Sequence, residues 1–142
     1  MPPDVPLGSP DDWLARARGK LSVARFPLPD DGFWEDLCYM AQQAAELGLK
    51  AVYQAHGWRF PFVHNLGLLL DGLLRQGVPI PESVQKADLL SIYATQMRYP
   101  GMSGLVGKPD YDKAVEIAAV VVEWAESQVT GEPPVSNPPY AP

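Results

Sequence analysis

Gln42, Glu46 and Lys50 recur at four-residue steps in the stretch CYMAQQAAELGLKAVY, residues 38–53. On a helix that spacing sets an amide, a carboxylate and an ammonium in one row. The row is one wall of a polar cleft if groups from elsewhere converge on it. Otherwise Glu46 ahead of Lys50 is a helical ion pair worth about 0.2–0.5 kcal/mol on a solvated face. Arg59 and His64 follow in GWRFPFVHN with four residues between them. That spacing can pair an imidazole acid–base with a guanidinium that holds a phosphate, the chemistry of metal-independent RNA cleavage. His64 has a plainer use as the N-terminal cap of the next helix. Arg98 and Tyr99, in the loop MRYPG, are candidates for the opposite cleft wall, since loops after helices often carry function.

Other chemistries lack their residues. Two histidines and one cysteine, with no C-x-x-C or H-E-x-x-H, give no recognisable zinc site, and no metal or cofactor is expected. No G-x-x-x-x-G-K-[ST] loop is present to cradle a phosphate. With 17 acidic and 11 basic residues the net charge is −6, which argues against non-specific attraction to nucleic-acid backbones. Arg16, Arg18, Lys20 and Arg25 make one basic segment, most simply a solvated helix face. Cys38 is alone among apolar neighbours and reads as a buried thiol in a reducing compartment. With no signal-peptide pattern and no apolar run of about 18 residues, a cytoplasmic location away from membranes is expected. Trp58, beside Arg59, could stack a base, although the four tryptophans suit core or interface positions.

The elements that would position these groups are helical, and nothing alternates long enough to be a convincing strand. Nine of the sixteen prolines lie in the first ten and last ten residues. Residues 1–9 and the proline-rich 131–142 therefore read as disordered tails around one domain at 10–130. Ser9, Pro10, Asp11 and Asp12 mark the start of a first helix running to about Arg25. A second helix, about Gly32 to His56, carries the small-residue stripe Ala41, Ala44, Ala45, Gly48, Ala51 and Ala55 and stops at Gly57. That stripe admits close approach by another helix, either at the centre of the bundle or across a dimer. A short third helix has Leu66, Leu69, Leu70, Leu73 and Leu74 on its apolar side and stops at Gly77. A fourth spans about Glu82 to Met97, and a last, about Tyr111 to Val129, buries Ala114, Ile117, Ala118, Val121 and Trp124.

AQQAAELGLKA (41–51), Gly57, Pro61, HNL (64–66) with its following leucines, and RYPG (98–101) together resemble the HEPN domain family of prokaryotes over about residues 10–128. The resemblance implies an all-α, antiparallel up-and-down bundle of four long helices plus one short helix, commonly a homodimer. Such domains are often encoded beside a minimal nucleotidyltransferase as a toxin–antitoxin pair. On this basis the expected function is a dimeric partner of such a transferase, with a polar cleft for nucleotide or RNA built from Gln42, Glu46, Lys50, Arg98 and Tyr99. The alternative is a ribonuclease toxin using Arg59 and His64 as its catalytic pair. In the family's active ribonucleases the R-x(4–6)-H motif lies late in the domain, where Arg98 falls here, and no histidine follows Arg98. Glu46-Leu47-Gly48-Leu49 replaces the branch's Glu-Lys-Ala-Leu, and Asn65 stands where aspartate is common. Gly8-Ser9 is followed ten residues on by Arg18-Gly19-Lys20 rather than Asp-x-Asp, so the chain is not itself the transferase.

Overall fold

Ser9 begins the helical domain by accepting a hydrogen bond from the Asp12 amide at 3.2 Å, and the Asp12 carboxylate in turn accepts one from the Gly8 amide at 2.7 Å. These bonds satisfy amides that a helix start leaves unpaired. The computed structural model describes residues 5–95 and 106–132. Helix α1 spans Pro10–Ala24, α2 Trp34–Ala55, α3 Leu66–Arg75, α4 Glu82–Gln85 and α5 Lys108–Thr130, with a 3₁₀ helix, η1, at Lys86–Ala94. No strand occurs among the described residues. Arg98, Tyr99 and the proline-rich segment 133–142 lie outside the described residues, as do residues 1–4.

Contacts between helices give the chain direction of each. Tyr111 Oη donates to the Ala24 carbonyl at 2.6 Å, and Arg18 pairs with Glu126 at 3.3 Å, so α1 and α5 run antiparallel. Trp34 meets Tyr111 at the start of α2 and α5, and Gly48 faces Val122 and Ala125 further along, so those two helices run parallel. Trp13, near the start of α1, contacts Phe60 just beyond the end of α2, which makes α1 and α2 antiparallel. The arrangement is an up-and-down bundle in which α4 and η1 form the fourth strut and α3 is the short helix.

The small stripe of α2 is central. Ala41, Ala44, Ala45 and Ala51 are fully buried. A Cβ added at Gly48 would sit 3.5 Å from the Ala125 Cβ and 3.7 Å from the Val122 Cα, so the α2 and α5 backbones pass close together here. Ala55 departs from the expectation and is exposed, because α2 ends there at the left-handed Gly57. Leu14, Leu49, Leu66, Leu69, Leu73 and Leu90 are among the fully buried large side chains. Each contributes about 1.5–3 kcal/mol through removal from water. Leu74, expected inside, is 41% exposed at the end of α3. Cys38 is buried, and burial above all pushes its thiol up to about 12.

The fourth strut differs from the regular helix expected over 82–97. Among the described residues of this segment only Glu82–Gln85 is α-helical, and Lys86–Ala94 is 3₁₀. Its buried residues, Val84, Ala87, Leu90 and Tyr93, recur every third position. A 3₁₀ helix has three residues per turn, so this spacing lines them up on one edge. An α-helix would turn the line steadily away from the core. The strut is tied to α3 by Ser91 Oγ, which accepts from the Leu66 amide at 2.9 Å. Tyr53 Oη ties α2 to α3 by donating to the Leu69 carbonyl at 2.7 Å.

Candidate functional site

Gln42, Glu46 and Lys50 share one side of α2, and that side is inside the protein. The side chains of Glu46 and Lys50 are only 5% and 9% exposed, and Gln42 is fully buried. Lys50 Nζ donates to Glu46 Oε2 at 2.8 Å and stands 4.9 Å above the centre of the Phe60 ring. Gln42 Nε2 donates to Glu46 Oε1 at 3.0 Å and to the His64 carbonyl at 3.1 Å, and Gln42 Oε1 accepts from Gln43 at 2.9 Å. No buried side-chain nitrogen or oxygen among the described residues lacks a partner.

His64 joins this network from the loop after α2. Its Nδ1 lies 3.1 Å and 3.2 Å from the two Glu46 oxygens, while its side chain is 70% exposed. Burial pushes the Glu46 carboxyl up, but hydrogen bonds from Lys50, Gln42 and His64, with the Lys50 charge, outweigh it and hold the carboxyl below its ordinary value. Glu46 is therefore an ionised carboxylate at neutral pH and can only accept hydrogen bonds. Nδ1 must carry the hydrogen, which leaves Nε2 of a neutral imidazole as an acceptor. His64 lines a groove of about 180 Å³ together with Asn65, Ser91, Ile92 and Thr95.

The cap of α3 is Asn65, whose Oδ1 accepts from the Leu68 amide at 3.1 Å. The side chain of His64 is thereby left to Glu46. Arg59 lines a different cavity, of about 260 Å³, with Gln54, Phe60 and Phe62. The structure therefore brings Gln42, Glu46, Lys50 and His64 together and places Arg59 on a neighbouring surface.

The remaining candidates from the sequence are distributed as follows. The basic segment of α1 is divided by pairing, Arg16 with the buried Asp12 at 3.0 Å and Arg18 with Glu126. Trp58 stacks on His56 at 4.2 Å with the planes 9° apart, which occupies one face of its ring. No three His, Cys, Asp or Glu side chains among the described residues converge to hold a metal ion. Among the described residues no helix is long and apolar enough to cross a membrane. Sequence reasoning missed Phe62, which is 94% exposed. Its signal was available in RFPF, since Pro61 biases Phe60 toward extended backbone and so sets the two rings near each other.

With this geometry in hand, comparison with known proteins is specific about the family. The HEPN domain matches residues 10–128. The fold is similar to that of TT1696 from Thermus thermophilus, with a TM-score of 0.74 and 28% identity over 84% of this chain and 97% of that one. It is also similar to ST0689, an archaeal HEPN homologue, with a TM-score of 0.70 and 24% identity over 87% of this chain and 99% of that one. No curated protein matches the sequence. The polar row of α2, the HNL stretch that leads into α3 and the up-and-down bundle lie within the matched segment, and the chain belongs to the HEPN domain family.

Proposed function

We propose that this HEPN domain is a binding module: a homodimeric, toxin–antitoxin-type partner of a minimal nucleotidyltransferase, with a polar groove that takes nucleotide or RNA. The observation that carries this reading is the Glu46 network. A buried carboxylate fixed by Lys50 and Gln42 fixes an exposed imidazole in turn. His64 then meets the groove beside Asn65, Ser91 and Thr95, groups suited to hydrogen-bonding a ligand. The buried Lys50 is already committed to Glu46 and Phe60, so ligand contact passes to His64, with Arg98 and Tyr99, which lie outside the described residues, kept as candidates from the sequence.

One observation favours catalysis as the second reading. A histidine held at Nδ1 by a carboxylate leaves Nε2 to accept a proton, as a general base must. With Arg59 as the phosphate holder, that would make a metal-independent ribonuclease. Arg59 and His64 line separate cavities, which weighs toward binding.

Incubation of the purified protein with RNA in excess EDTA separates the two. The binding module gives RNA or nucleotide association that weakens in His64→Ala, with the RNA intact. Cleavage that disappears in His64→Ala would establish the ribonuclease instead. Light scattering at tens of micromolar should give a dimer mass, and a monomer would remove the dimer from the proposal. Co-purification of a minimal nucleotidyltransferase with the protein tests the partner.

A further inference from the structure

The cavity beside the network has its own chemistry. Phe60 is fixed from several sides: Trp13 meets it edge-on at 5.2 Å, Tyr53 at 6.4 Å, and the Lys50 ammonium lies over its ring. Phe62 rests against Phe60 at 5.8 Å with the planes 70° apart, yet is 94% exposed. A rigid ring therefore supports an almost wholly open one. Arg59 and Gln54 complete the lining. Neither the Arg59 guanidinium nor the Gln54 amide has a hydrogen-bond or ion-pair partner among the described residues.

We infer that this shelf binds the base of a nucleoside phosphate, stacked on Phe62, with the phosphate on Arg59 and a base edge on the Gln54 amide. The ligand class follows from the three groups. An exposed ring offers stacking to any flat aromatic system, an unpaired guanidinium selects an anion, and an amide both donates and accepts along a heterocycle edge. At about 260 Å³ the cavity is slightly smaller than the roughly 300–1,000 Å³ of sites that enclose a whole small molecule. It suits one ring with the remainder outside. The inference rests on the nucleotide-binding half of the proposed function and assigns that binding to a second surface. Phe62 is two residues from His64, within about 7 Å along the backbone, so successive nucleotides of a single strand could reach both.

Free nucleotide and single strand are distinguished by titrating AMP and an adenine hexanucleotide against the full chain. Ribose 5-phosphate and a phosphotyrosine peptide serve as controls. AMP is expected to bind, with ribose 5-phosphate at least about tenfold weaker for lack of a ring. Phe62→Ala should weaken AMP roughly 5- to 150-fold, and Phe62→Trp should restore it. With a single cation engaged, log K for the hexanucleotide should fall with log salt at a slope of about −0.7, and Arg59→Ala should flatten it. Equal AMP binding by wild type and Phe62→Ala overturns the inference, as does tighter binding of the phosphotyrosine peptide than of AMP. Loss on His64→Ala with none on Phe62→Ala overturns it too, and leaves the groove of the proposed function standing. If neither AMP nor the hexanucleotide binds wild type, the nucleotide half of the proposed function falls and takes the inference with it.

Discussion

Glu46–Lys50 and Asp71–Arg75 are the same motif in two settings. Each is an acid four residues ahead of a base on a helix, at 2.8 Å in α2 and 3.2 Å in α3. In α3 both partners are open to water, with Arg75 and Asp71 side chains 79% and 55% exposed. In α2 both are inside, and the pair has recruited Gln42, His64 and the Phe60 ring. The pair in water gains little, because solvent screens the attraction and the side chains lose freedom. The enclosed pair is not a cheap source of stability either, since both charges gave up hydration. Its members have instead become dependent on one another, which gives the two pairs opposite responses to substitution.

The largest contrast should come from Lys50→Met. It strands the Glu46 carboxylate without its cation and should lower unfolding stability by about 3–5 kcal/mol in urea denaturation. Loss under about 1 kcal/mol would mean that water reaches Glu46 freely. Acid titration addresses the same carboxylate. The Glu46 pKa is depressed in the fold, so its contribution is complete above the unfolded value, near 4.5, and is lost as pH falls through the lower folded value. Wild type should therefore lose stability on acidification below about pH 4.5 more steeply than Glu46→Gln, and parallel profiles would contradict the assignment. Gly48 probes the packing on another side of α2. Gly48→Leu should lose about 1–3 kcal/mol by crowding Ala125 and Val122, whereas Gly48→Ala makes ordinary contacts and should gain up to about 1 kcal/mol of helix propensity. The smallest effect belongs to Arg75→Ala, at about 0–1 kcal/mol in the same denaturation assay.

The two ion pairs also mark what local sequence could and could not convey. Helix starts were legible because Ser9 and Pro10 act on their immediate neighbours, and the alanines with Gly48 announced a close helix contact through their size alone. Four-residue spacing places Glu46 and Lys50 together, but says nothing about whether a third element will cover them. That depends on Phe60 and His64, folded back from a loop beyond the helix. Asn65 and His64 are adjacent and both polar, so either could have capped α3, and the partner across the loop decided between them. The triplet spacing of Val84, Ala87, Leu90 and Tyr93 was visible in the sequence but was absorbed into a general helical pattern. The exposure of Phe62 depends on Phe60 beneath it, which Trp13 and Tyr53 hold from other helices.

The triplet spacing of η1 bears on how this chain can change length. At three residues per turn, inserting or deleting one residue between Lys86 and Leu90 would swing everything beyond it by about 120°. Leu90 and Tyr93 would leave the core together, and Ser91 would leave the Leu66 amide it now meets. A change of three residues would restore the alignment and only move the end of the strut by about 6 Å. Relatives that vary in this segment should therefore differ by whole triplets.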